Sequence, residues 1–242
     1  AHGVTDSVPA LETRSAPTVL IADFPAGPLA ANCYVVASAA EAECVIVDPG
    51  QQAAEGVAKL VDEYALTPVA VLLTHGHFDH VWSAAQVCRT YGVAAYAHPA
   101  DRPLLSDPAR GVDPGLAAQL AALFGGERLR EPERVVEVAD GQVLDLAGLE
   151  ITVAHAPGHT PGSVVYALPA TGDAPEVLLT GDLLFAGSIG RTDFPGGDHA
   201  EILRSLSRVC LSRADDTAVL PGHGPRTTIG RERATNPFLR DL

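Results

Sequence analysis

Basic side chains are scarce in this 242-residue sequence: 16 Lys and Arg stand against 30 Asp and Glu, a formal net charge of −14. Lysine occurs only at Lys59. Binding to a phosphate backbone needs a clustered basic face, so no nucleic-acid partner is expected. Methionine is absent, and the opening Ala1-His2-Gly3 reads as the remnant of a removed initiator or an added scar, set aside from fold reasoning. No apolar run approaches the roughly 18 residues of a spanning helix, and the first residues lack the basic and apolar regions of an export signal. No membrane partner is therefore expected, and the expected location is the cytoplasm. There is no CxxC pair; Cys33, Cys44, Cys88 and Cys210 lie far apart, in or beside apolar runs, and read as buried reduced thiols. With 47% apolar and 19% charged residues the chain is not disordered. At about 150 residues per typical domain, with layered α/β folds often exceeding that, a single domain over residues 1–242 is expected.

Hydrophobic patterning predicts an α/β protein. Short β-branched runs give strands at Thr18 to Phe24, Asn32 to Ala37 and Cys44 to Val47, the last ended by Asp48-Pro49-Gly50. Val57, Leu60, Val61 and Tyr64 share one face of a helix over Ala53 to Tyr64. Val69 to Thr74 is apolar nearly throughout, as a strand covered on both faces must be. A helix over Val81 to Tyr91 and a strand at Ala94 to Ala97 come next. Pro99 to Glu133 is rich in Pro, Gly and Asp; it reads as a surface excursion with one helix at Leu116 to Phe124. Further strands are predicted at Val135 to Val138, Glu150 to Ala154, Ser163 to Leu168, Glu176 to Thr180 and Ala218 to Leu220. Helices are predicted at Ala200 to Arg213 and Ile229 to Asn236. Helices outside and sheets inside is the implied layering.

Thr74-His75-Gly76-His77-Phe78-Asp79-His80 packs three imidazoles and a carboxylate into six residues directly after a buried strand. His75 and His77 are two apart and so point to one side of an extended backbone, while Gly76 permits a close turn. Three more candidate ligands follow apolar runs in the same way: His159 after Ala156-Pro157-Gly158, Asp182 after Gly181, and His223 after Pro221-Gly222. Strand C-termini converge on one crevice in open α/β sheets. Five imidazoles and two carboxylates there make a ligand set for two first-row metal ions, one carboxylate bridging, and the lack of sulfur disfavours a closed structural zinc site. His2, His98, His155 and His199 carry no such signal, although His155 lies close enough to His159 to support it.

The pattern HxHxDH at His75 to His80, followed by His159, Asp182 and His223, resembles the metallo-β-lactamase superfamily. The resemblance implies an αββα four-layer sandwich of two mixed β-sheets flanked by helices. It implies that His75, His77 and His159 hold one metal, that Asp79, His80 and His223 hold the other, and that Asp182 bridges. Gly187 to Asp198, Pro221 to Thr228 and the later Glu232, Asn236 and Pro237 are similar to bacterial glyoxalase II-like hydrolases. Arg191 and Arg226 are candidate contacts for a substrate anion, though a buried Arg191–Asp193 pair fixing the loop is the favoured reading.

The activity implied by this resemblance is that of a thioester hydrolase of the hydroxyacylglutathione hydrolase kind, with two divalent ions, zinc first and iron or a mixed set as alternatives. Such a pair lowers the pKa of a bridging water from 15.7 towards about 7, so that hydroxide attacks the carbonyl while Asp79 steers its proton to the leaving thiol. The partner is a small acyl-thiol; oligomeric state is not legible. Nineteen residues follow His223, too few for the helical domain that binds glutathione in the better-known enzymes, which leaves the thiol carrier open. The alternative within the superfamily is a persulfide dioxygenase with one iron on His75, His159 and Asp182. A β-lactamase is less favoured, because long substrate loops are not evident, and a non-catalytic metal-binding relative is the reading from another class.

Overall fold

A computed structural model describes residues 19–123 and 128–242. Its strands and helices, in chain order, are β1 Leu20–Ala26, β2 Ala31–Ala37, β3 Glu43–Val47, α1 Ala53–Glu63, β4 Thr67–Leu72, α2 Phe78–Val81, α3 Ala84–Tyr91, β5 Ala94–Ala97, α4 Arg102–Ser106, α5 Pro114–Leu123 and β6 Val135–Glu137. The second half continues with β7 Val143–Leu146, β8 Leu149–His155, β9 Val164–Leu168, β10 Val177–Gly181, β11 Leu184–Phe185, β12 Ser188–Ile189, α6 His199–Ser205, β13 Ala218–Pro221, β14 Thr227–Thr228 and α7 Ile229–Thr235.

Two six-stranded sheets carry these strands in the orders β1-β2-β3-β4-β5-β6 and β14-β13-β10-β9-β8-β7. Both are mixed: β3, β4, β5 and β6 run parallel behind the antiparallel β1 and β2. In the second sheet only β10 and β13 are parallel. Strand alternation splits the core into layers. On β2, Tyr34 and Val36 face the inter-sheet core with Leu72, Ile151, Val153, Tyr166 and Leu179, whereas Cys33 and Val35 face the outer layer with Val57 of α1 and Val87 of α3. Ile202, Leu206 and Ile229 cover the second sheet from outside. The result is the expected αββα sandwich. Polar ties cross it: the Tyr166 hydroxyl donates to the Leu73 carbonyl at 2.9 Å, and the Tyr34 hydroxyl to the Pro221 carbonyl at 2.6 Å. No helix among the described residues is long and apolar enough to cross a membrane.

Several expected elements differ. The helix expected over Val81 to Tyr91 is two pieces, because the Ser83 N–H donates to the Pro49 carbonyl at 3.0 Å instead of continuing a helical ladder. Helix α6 ends at Ser205 and passes into a π-helical turn over Leu206–Cys210. Strand β7, an edge strand, has no counterpart among the expected elements. The excursion over residues 99–133 is only partly a surface feature: Asp101, Leu104 and Leu105 are buried beneath the histidine loop. All four cysteines are free and buried, as expected. Thr18 and Phe124, bounds of two expected elements, and the opening Ala1 to Gly3 lie outside the described residues.

Candidate metal centre

Strand β4 delivers His75 and His77 on the extended chain leaving it, and α2 starts at once with Asp79 and His80 in its single turn. The β8–β9 turn supplies His159, Asp182 follows β10 directly, and His223 follows β13 after one intervening residue, Gly222. One ligand-type atom from each of His75, His77 and His159 lies within 4.8 Å of the others, and the same holds for Asp79, His80 and His223. Asp182 sits between the groups: Oδ2 is 3.4 Å from His159 Nε2, 4.0 Å from His75 Nε2 and 3.5 Å from His223 Nε2, and Oδ1 is 3.3 Å from His80 Nε2. All seven residues singled out in the sequence are thus brought together. Six are nearly inaccessible; the His223 side chain, 29% exposed, is the open side.

Hydrogen-bond partners fix which ring nitrogens face inward. The His159 Nδ1–H donates to the Arg191 carbonyl at 2.8 Å; a carbonyl only accepts, so Nε2 carries the lone pair. Thr74 gives its hydroxyl proton to Asp48 Oδ2 at 2.6 Å, so Thr74 Oγ1 accepts from His75 Nδ1 at 3.0 Å and His75 Nε2 is left as an acceptor. Asp48 Oδ2 also accepts from His80 Nδ1 at 2.9 Å. His80 Nε2 then faces His223 Nε2 at 3.2 Å, with Asp79 Oδ2 3.2 Å from the latter. With His80 Nδ1 donating to Asp48, His80 Nε2 keeps its lone pair, which accepts from a protonated His223 Nε2 or is offered to a cation. Among the described residues, His75 Nε2, His77 Nε2, His159 Nε2 and Asp182 Oδ1 are buried with no hydrogen-bond partner, a costly arrangement unless an ion satisfies them.

Electrostatics agree. Burial holds His75 well below the ordinary imidazole pKa and pushes His77 down to about 3, so both keep their lone pairs. At His80 burial also lowers the pKa, but Asp182 and Asp79 outweigh it and raise the group overall. Burial would raise Asp182, yet His80, His75 and His159 outweigh it and hold the carboxyl well below its usual range. The carboxylates draw positive charge; the histidine cluster opposite offers lone pairs. An all-nitrogen-and-oxygen donor set of this shape fits a dinuclear site for first-row divalent ions.

Two supporting carboxylates carry no signal in the sequence. Asp48, which reads there as a strand end, accepts from the Thr74 amide at 2.8 Å, the Thr74 hydroxyl and His80, so its oxygens are already engaged although it also lies near His75 and His80. Asp101 accepts from the Gly76 amide at 2.8 Å, the Thr160 hydroxyl at 2.7 Å and the Gly162 amide at 2.7 Å, joining the loop of His75 and His77 to that of His159. Burial lifts the Asp101 pKa, and those donated bonds pull against the lift. Gly76 is needed for the approach of α4: a Cβ there would lie 2.7 Å from that of Leu104. Asp48→Asn keeps the shape but removes the charge that orients His80. Metal affinity is expected to fall about 10- to 100-fold, read by competition with a chromophoric chelator.

Arg191 and Asp193 form the expected pair, with both bonds at 2.7–2.8 Å, but it is exposed instead of buried, and the guanidinium lies 3.6 Å over the Phe194 ring. Arg191 also lines the cavity of about 440 Å³ above the cluster, along with Phe185, Ile189 and Phe194. Arg226 is not among that cavity's lining residues; it pairs with Asp23 on β1. His155 stacks on His98 at 4.1 Å and donates through Nε2 to the Pro161 carbonyl, two residues beyond His159. His199 begins α6. Glu232 and Asn236 brace the β11–β12 hairpin: Glu232 accepts from the Gly187 amide at 2.8 Å, and Asn236 donates to the Ser188 carbonyl at 3.1 Å.

The sequence profile of the metallo-β-lactamase superfamily matches residues 26–223. An uncharacterised protein of Mycobacterium tuberculosis is 50% identical over 226 residues, covering 93% of this chain and 99% of that protein. The hydroxyacylglutathione hydrolase GloC of Haemophilus influenzae is 36% identical over 201 residues, covering 82% and 88%. Among solved structures, BLEG-1 B3 metallo-β-lactamase superposes with a TM-score of 0.76 at 37% identity, covering 91% of this chain and all of that one. TTHA1623 in a di-iron-bound form gives 0.71 at 38%, covering 92% and 99%. ETHE1 from Myxococcus xanthus gives 0.69 at 25%, covering 90% and 83%.

Proposed function

The chain belongs to the metallo-β-lactamase superfamily, and on that premise we propose that it hydrolyses thioesters of the hydroxyacylglutathione kind, S-lactoylglutathione being the first to try. The observation that carries the proposal is the convergence of buried, unpartnered nitrogens and oxygen from three strand ends, with Asp79, His80 and His223 beside them, on one small volume. Superfamily membership makes the protein an enzyme of the metallohydrolase type, and the 36% identity to GloC supports the thioester.

In this reading His75, His77 and His159 would hold one divalent ion and Asp79, His80 and His223 the other, with Asp182 placed between the two groups. Zinc is the proposed metal, with iron as the alternative that the di-iron form of TTHA1623 keeps open. Such a pair supplies a lowered water pKa and polarisation of the scissile carbonyl. The protein's own groups do the rest. The Asp79 carboxylate oxygen not turned to the ion would accept the proton of the attacking water and return it to the departing thiolate, while Oδ2 lies 3.5 Å from His80 and 3.2 Å from His223. Arg191, on the cavity wall, meets an anionic group of the thiol carrier. Phe185, Ile189 and Phe194 exclude bulk water. Water and thioester give carboxylic acid and thiol, and a thiol leaves without the strong acid that an amide requires. The four buried thiols suit a reducing compartment, which supports the cytoplasm.

The test is to load the purified protein with zinc and follow loss of thioester absorbance. Turnover is expected with S-lactoylglutathione or a related thioester; an inactive, fully loaded protein across that set overturns the proposal. A second reading, a persulfide dioxygenase with one iron on His75, His159 and Asp182, draws on the ETHE1 likeness and on the 3.4 and 4.0 Å distances joining those residues. It requires one iron per chain and oxygen uptake on a thiol persulfide. The likeness to BLEG-1 makes a chromogenic β-lactam the third arm of the same assay.

A further inference from the structure

Behind the cavity over the metal cluster lies a second, of about 330 Å³, and the two share Phe78, Val112 and Leu120 as wall residues. The two cavities adjoin across these side chains, and Phe78 immediately precedes Asp79. Its inner walls are apolar: Phe78, Val112 and Leu129 are buried, and Trp82 and Leu120 half-buried. The charged residues lining it, Asp107 and Arg128, are exposed and belong to its rim, and Asp107 is already paired with Arg110 at 3.3 Å.

A thioester held with its carbonyl at the cluster sends two arms outward, acyl and thiol. Beyond the rim that carries Ser106, Asp107 and Arg128, a charged carrier would lose its hydration against apolar walls, at high cost. An apolar acyl chain gains by entering, because each methylene removed from water favours binding. Among the described residues, the only cation lining the main cavity apart from the candidate ligands is Arg191, which gives a polar carrier its place on the other side. We propose that this second cavity is an acyl-chain pocket, so that the preferred substrates are thioesters of medium-length apolar acids. This rests on the thioester reading above and deepens it.

Trp82, the only tryptophan in the sequence, lines the pocket and reports on its contents. Two readouts decide. With acetyl, butyryl, hexanoyl and octanoyl thioesters of one carrier and metal-loaded protein, kcat/KM is expected to rise about fourfold per methylene until the pocket is full. A flat or falling series overturns the pocket while leaving thioester hydrolysis intact; no turnover of any thioester overturns hydrolysis instead. The second readout stands without activity. Octanoate titrated into the loaded protein is expected to shift Trp82 emission, and acetate, with the same carboxylate, is not; equal responses overturn the proposal. Ala117→Phe narrows the chamber from α5 and is expected to lower the ratio of octanoyl to acetyl kcat/KM at least tenfold; an unchanged ratio in a folded variant counts against the pocket.

Discussion

Asp182→Asn is expected to strip metal from both halves of the centre and to lower hydrolysis by on the order of 10³-fold, at or beyond the upper end of what removing a single oxyanion donor costs. The reason is position. Asp182 reaches both clusters, with one oxygen 3.4 Å from His159 and 3.5 Å from His223 and the other 3.3 Å from His80, whereas Asp48, also near His75 and His80, has its oxygens engaged by Thr74 and His80. Asparagine is nearly the same shape but halves the acceptor capacity, cancels the charge and turns an NH₂ towards nitrogens that already present lone pairs. The glycine opposite matters as much: at Gly222 a Cβ would collide with Asp182 Oδ1 and come within 2.8 Å of His80, so the carboxylate has room only against bare backbone. Elemental analysis and turnover on one preparation check the expectation. Two ions per chain with undiminished turnover would remove Asp182 from the centre.

Asp101→Ala is expected to cost about 2–5 kcal/mol of folding stability, because the Gly76 and Gly162 amides would lose their acceptor in a buried place at roughly 1–3 kcal/mol each, while the Thr160 hydroxyl can turn to Ser163 Oγ at 2.7 Å. Some of this is recovered if water enters the space left by the carboxylate. The midpoint of urea unfolding should fall with little change in slope, since the surface exposed on unfolding is the same. Asp101→Asn should cost less, as it retains an acceptor oxygen. The loops that Asp101 joins carry His75, His77 and His159, so that histidine cluster should also bind metal more weakly in a folded variant. A variant as stable as the parent would show that the two amides find other partners.

The histidines and aspartates of the centre are legible in the sequence because each follows an apolar strand and because His75 to His80 are crowded. Chemistry and periodicity point to the same places. Asp48 and Asp101 are not, because a carboxylate that orients a neighbour has no spacing of its own: its partners are 26 and 32 residues away in one case and 25 to 61 in the other. Composition misleads at residues 99–133, where the loop-rich average conceals that Asp101, Leu104 and Leu105 are buried under the histidine loop. The break between α2 and α3 depends on a bond from Ser83 to Pro49, which helical periodicity cannot reveal. Strand β7 escapes recognition because it is four residues long and only Leu144 in it is buried. Exposure of the Arg191–Asp193 pair likewise comes from tertiary placement and not from local pattern.

The candidate ligands are divided between the leaves of the sandwich: His75 to His80 leave the first sheet, and His159, Asp182 and His223 leave the second. An ion shared between them would be a rivet through both leaves, fastening residue 75 to residue 223 in a protein whose four cysteines form no covalent clasp. Catalytic readiness and mechanical integrity would then be one property, and a chelator would act on this molecule much as a reductant acts on a secreted one.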